Sequence, residues 1–186
     1  MNQNVDLNFS YAYGGPCGHG VLRACAEDFR VDELLDIPLS GSGEHHWLHI
    51  QKRDTNTEWL ARQLAKLADV PARDVSYAGL KDRVALTSQW FSVRLPGKRE
   101  PDWKQIESGE VKLLSAGRHI SKLRRGCHQG NHFEITLREV EGEPEAIDER
   151  LAQICRSGVP NYFGEQRFGH DGRNVPNGIA LLSGEI

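Results

Sequence analysis

The sequence predicts an α+β fold, and two observations carry that reading. Several strand-like segments follow one another with no helix between them, and the clear helical stretches interrupt them irregularly instead of alternating strand by strand. With 186 residues, 38% of them hydrophobic and 26% charged, the chain can also bury an ordinary globular core.

Taken in order, residues 1–20 are rich in glycine and aromatics (Tyr11, Tyr13, Gly14, Gly15, Pro16) and read as an irregular lead-in. Across residues 20–35 the alternation of Phe29, Val31 and Glu33 predicts extended backbone. Ser40-Gly41-Ser42-Gly43 marks a loop, and residues 47–52 a short strand. A helix follows, capped by Thr55 or Asn56, with Trp59, Leu60, Leu64, Leu67 and Ala68 on its apolar stripe and Pro71 as its stop. Residues 75–80 and 89–95 predict strands, as do 111–114 and 132–138, the last placing Phe133, Ile135 and Leu137 on one face. Residues 145–156 predict a second helix that turns Ile147, Leu151, Ile154 and Cys155 inward, ended by Gly158 and Pro160. An apolar run at 179–182 is compatible with helix and looks cut rather than finished.

Composition excludes some classes. No apolar run reaches the roughly 18–20 residues of a membrane span, and mean hydropathy is −0.55. Residues 1–13 are polar and lack the pattern of a secretory signal, so the cytoplasm is the expected compartment. Cys17, Cys25, Cys127 and Cys155 are far apart and read as reduced thiols. Net charge is −3, yet residues 115–133 contain no acid while Arg118, Lys122, Arg124 and Arg125 supply four cations. That block fits a phosphate-binding face or an edge strand guarded by charge.

Three clusters carry chemistry. Asp82 sits between Lys81 and Arg83, after Gly79 and before Thr87 and Gln89; the flanking cations would hold the carboxylate ionised, as a nucleophile or a surface ion pair. Gly130-Asn131-His132-Phe133 offers an amide that matches a uracil edge and a ring to stack on it, or a turn followed by a core residue. Asn161-Tyr162-Phe163-Gly164-Glu165-Gln166-Arg167-Phe168-Gly169 interleaves aromatics with polar groups. His45, His46 and His49 suggest a metal, but on a strand His46 points away from the other two and the shell is incomplete. Asp28, Asp32, Glu33 and Asp36 read as a solvated acidic face.

These blocks, with Glu27-Asp28-Phe29-Arg30-Val31-Asp32-Glu33, resemble in order the E-D-F-x-V-x-E, G-x-K-D-[RK]-x-A-x-T-x-Q, G-N-x-F and N-Y-F-G-x-Q-R-F-G signatures of the TruD type of tRNA pseudouridine synthase. The resemblance runs from about residue 18 to 173. It implies a mixed, mainly antiparallel sheet with flanking helices, and an isomerase that converts uridine 13 of the tRNA D arm to pseudouridine without a metal or organic cofactor. Asp82 would be the catalytic aspartate, Phe29 and Asn131 would contact the uridine, and Phe133 would stack beside it. Lys81, Arg83, Gln89, Asn161, Phe163, Gln166 and Arg167 would support the site, and Arg118, Lys122, Arg124 and Arg125 would meet the RNA backbone. Members of the family are nearly twice as long. Residues 1–175 are therefore expected to be the N-terminal part of the catalytic domain and 176–186 the start of an inserted domain, the chain being inactive without the missing half. A non-catalytic RNA-binding module is the alternative.

Overall fold

The computed structural model describes residues 10–97, 99–162, 164–169 and 172–185, without the side chains of Glu165 and Gln166. Its elements run β1 (Gly18–Leu22), β2 (Phe29–Leu34), β3 (His45–Arg53), α1 (Thr57–Leu67), β4 (Val75–Tyr77), β5 (Leu86–Arg94), β6 (Val111–His119), β7 (Gly130–Ile135), β8 (Leu137–Gly142), α2 (Pro144–Ser157) and α3 (Asn174–Ser183). The main sheet has the order β6-β3-β5-β2-β7, with β4 on the far part of β5, and β1 pairs with β8 in a ribbon. Only β2–β5 is parallel among the registered pairs of that sheet; β3–β5, β3–β6, β2–β7 and β4–β5 are antiparallel. The fold is α+β with a mixed, mainly antiparallel sheet.

The chain divides into two compact units, Gly20–Val140 and Met1–His19 with Glu141–Ile186. In the first, the alternation of β3 and β5 sends Leu48, Ile50, Phe91 and Val93 to one face, where Leu60 and Leu64 of α1 bury against them. Asn56 caps α1 by accepting from the amides of Glu58 and Trp59 at 2.8 and 3.1 Å. The other face of β3 carries His45, Trp47 and His49, with His49 stacked on Trp90 at 4.8 Å and Trp47 on His119 at 4.2 Å. His46 instead faces Trp103 on the α1 side.

Four expectations need correction. Trp59 does not join the buried stripe of α1: Thr57, Leu60, Ala61, Leu64 and Ala65 form that stripe, and Trp59 falls on the opposite side of the helix, 47% exposed. The strand expected at 132–138 is two strands: Thr136 makes the last bond of the β2 ladder, its amide to Asp28 O at 2.8 Å, and from Leu137 the chain pairs with β1 instead. Phe133, Ile135 and Leu137 are consequently exposed, not core. In the second unit, α2 buries none of its residues, and Leu151 and Cys155 face out. No helix among the described residues is long and apolar enough to cross a membrane.

Candidate active site

Asp82 lies in the loop from β4 to β5, and that loop is pinned from two sides. Gln89, fully buried on β5, donates from Nε2 to Gly79 O at 3.1 Å and accepts from Thr57 Oγ1 at 2.8 Å. Thr57 Oγ1 in turn accepts the Lys81 amide at 3.2 Å, so the first residue of α1 is tied to the loop. From β3, the fully buried Lys52 donates its ammonium to Asp82 O at 2.8 Å. Burial pulls the Lys52 pKa down to about 8, against the opposing charge of Asp82. Lys52 is thus a buried cation directed at the backbone of the carboxylate it faces. Replacing it with Met keeps the stem and removes the donor, leaving the Asp82 carbonyl unpaired at an expected cost of about 1–3 kcal/mol. Hydrogen exchange at the Lys81 and Ala85 amides should then accelerate by roughly tenfold or more.

Around the carboxylate, the arrangement differs from the Lys-Asp-Arg expectation. Lys81 turns away and forms a buried ion pair with Glu33 at 2.7 Å, while Glu33 also accepts the Trp90 amide at 3.0 Å. Successive side chains of an extended loop diverge, and the fully buried Glu33 holds the lysine more firmly than a surface carboxylate could. Arg83 lines a separate cavity. The cation beside Asp82 is Arg23, its guanidinium 3.6 Å from Oδ1. Nor is Asp82 shielded: its side chain is 49% exposed in this chain.

Arg23 links the carboxylate to the aromatic pair. Its guanidinium stacks over the Phe29 ring at 3.8 Å, and Phe29 meets Phe133 edge to face at 6.1 Å and 74°. Because Val31 opposes Phe133 and Glu33 opposes Asn131 across β2–β7, Phe29, Glu33, Asn131 and Phe133 share one sheet face. Lys52, Thr87 and Gln89 continue that face across β5 and β3. Asn131 Oδ1, Thr87 Oγ1 and Arg23 Nε are buried without a hydrogen-bond partner among the described residues. Such atoms are costly in a core and useful in a binding pocket. The structure therefore brings Asp82, Phe29, Asn131 and Phe133 onto one face with Arg23, Lys52 and Glu33, which sequence reasoning missed.

The acidic-face expectation is also overturned, since Asp28 and Glu33 are buried and paired. Arg138 grips Asp28 with two bonds of 2.7 Å, and these hold the Asp28 pKa down to about 2. Its unfolded value is about 3.9. The brace behind Phe29 thus contributes stability that is present above about pH 4 and is lost as pH falls toward 2. Acid unfolding of wild type followed by circular dichroism should be steeper across that window than that of Asp28→Asn.

The basic block separates in space. Arg118 sits 3.9 Å from Glu100. Lys122, Arg124 and Arg125 instead join Arg62 and Arg73 around a cleft of about 690 Å³ beside Tyr77, whose ring Arg125 covers at 4.0 Å. Asn161, Gln166 and Arg167 belong to the other unit; Asn161 is exposed, and Arg167 O accepts from Asn174 Nδ2 at 3.1 Å. Phe163 and the Gln166 side chain lie outside the described residues.

The mixed sheet thus presents an exposed aspartate beside an arginine, two edge-packed rings and an unpaired amide. The sequence matches the family described as tRNA pseudouridine synthase D (TruD) over residues 7–186, and the chain belongs to that family. It is 58% identical over 164 residues to the tRNA pseudouridine synthase D of Pseudomonas fluorescens (strain Pf0-1), covering 88% of this chain and 47% of that protein. With the protein of the same name from Azotobacter vinelandii it shares 56% over 170 residues, 91% of this chain and 48% of the other. The chain thus spans about half the length of the curated relatives it matches. A solved structure described as a tRNA pseudouridine synthase D (TruD) from Methanosarcina mazei superposes with a TM-score of 0.68 at 34% identity, over 81% of this chain and 35% of that one.

Proposed function

We propose that Asp82 is the nucleophile of a cytoplasmic tRNA pseudouridine synthase acting on uridine 13 of the D arm. The observation that carries this is the Asp82–Arg23–Phe29–Phe133 chain of contacts, with the unpaired Asn131 amide on the same face. Arg23 sits beside the carboxylate, Phe29 and Asn131 contact the flipped base, and Phe133 stacks beside it. In the reaction the bond from ribose C1′ to uracil N1 breaks, the base turns, and C5 joins C1′. The C5 proton is then lost and N1 carries one, so atoms balance without a co-reactant.

The cleft between α1 and the basic block supplies the RNA-backbone contacts in this reading. Five cations line it with a single acid, Glu58, and none of the five is ion-paired to a carboxylate among the described residues. Arg118, next to Glu100, contributes less. Replacing Arg73 and Arg124 together with Gln should lower the slope of log affinity for tRNA against log salt by about one to two.

Residues 1–175 then form the N-terminal part of the catalytic domain, with 176–186 opening the inserted one. The test is pseudouridine formation on unmodified tRNA, with this chain alone and joined to a relative's C-terminal half. Product from the joined protein and little from the chain alone is expected; tRNA binding with no product from either would mark an RNA-binding module.

A further inference from the structure

Trp59 is a large aromatic that the fold leaves unexplained. Its helical neighbours Leu60 and Leu64 are fully buried, yet its indole is nearly half exposed on the first turn of α1. There it lines a cavity of about 430 Å³ together with Arg83, Asn56, Asp54, Ser108 and Glu110. A cavity of that size admits a nucleobase with part of its ribose, and an open indole face is a stacking platform for any base.

We propose that this cavity receives a single-stranded nucleotide adjacent to the target uridine, its base stacked on Trp59 and its phosphate on Arg83. The inference rests on the tRNA reading above and adds a second nucleotide subsite to it. Three features carry it. Arg83 follows Asp82 directly in the chain and has no ion-pair partner among the described residues, so its charge is available to a phosphate next to the reacting nucleotide. Asp54 and Glu110 would repel a phosphate elsewhere in the cavity and accept hydrogen bonds from a base amino group, which orients the nucleotide with its base inward and its phosphate toward Arg83. The wall and the catalytic loop are also one mechanical unit, because Thr57, two residues before Trp59, holds the Lys81 amide at 3.2 Å. Flipping a uridine from its stack leaves its neighbour without one face of stacking, and Trp59 replaces that face.

The test measures affinity of this chain for unmodified tRNA at low salt. Trp59→Ala is expected to weaken binding by roughly tenfold, Trp59→Phe to retain most of it, and Arg83→Gln to reduce both affinity and salt slope. A tRNA made abasic beside the target should bind wild type more weakly and Trp59→Ala no more weakly than intact tRNA does. Urea unfolding of each variant confirms that the exposed substitution leaves the fold intact. Affinity of Trp59→Ala within twofold of wild type, or an equal abasic penalty in both proteins, overturns the subsite while leaving the tRNA reading in place. Absence of any tRNA binding by wild type instead overturns the tRNA reading, and the subsite with it.

Discussion

Replacing Asp82 by asparagine is expected to abolish pseudouridine formation in the protein joined to a relative's C-terminal half, by at least roughly a thousandfold in kcat. The reason is local. Asparagine matches the shape of aspartate but cannot form the covalent bond to the nucleotide. The loop should survive the change, because Lys52, Gln89 and Thr57 hold the backbone at Asp82, Gly79 and Lys81 and none of them bonds the carboxylate. Affinity for tRNA should therefore stay within about threefold of wild type, since phosphate contacts dominate binding and lie elsewhere. A parallel Arg23→Gln variant separates charge from nucleophile: it should lower kcat without abolishing turnover. Undiminished product from Asp82→Asn would remove Asp82 from the chemistry.

The residues of the candidate site were unequally legible. Asp82, Phe29, Asn131 and Phe133 could be named as candidates from three short blocks in fixed order, because each block is local. Their partners are not local. Glu33 pairs with Lys81 across 48 positions and Lys52 reaches Asp82 across 30, and no periodicity reports such pairings. One signal was available: Phe29, Val31 and Glu33 alternate, and period two puts Glu33 on the face of Phe29, not on a solvated surface. Arg23 gave no such cue. It lies outside any strand, with a left-handed φ of 60° that aims its guanidinium back over Phe29. The sheet was readable in β3 and β5, which are rich in apolar and aromatic residues, and misread at Thr136, where one residue of irregular backbone redirects the chain from β2 to β1. Trp59 was misplaced because the apolar residues of α1 do not by themselves say that the buried side is centred on Thr57, Ala61, Leu64 and Ala68, opposite Trp59.

Removing Glu33 is expected to have the largest effect on stability. Its side chain is fully buried and that of Lys81 nearly so, so each has given up hydration for the other. Glu33→Ala would strand the lysine ammonium and leave the Trp90 amide without its acceptor. The expected cost is about 3–5 kcal/mol. With a urea dependence of about 2 kcal/mol per molar, the unfolding midpoint should fall by roughly 1.5–2.5 M. The penalty comes mainly from the unpaired charge, so Glu33→Ala with Lys81→Met should be more stable than Glu33→Ala alone. The double variant should still lose activity. The ion pair ties β2, which carries Phe29, to the residue preceding Asp82, and the Ala–Met pair cannot reproduce that register. Recovery of stability with full recovery of turnover would show that the pair acts in folding alone. Recovery of stability without turnover would place it among the groups that hold Asp82 against the aromatic face.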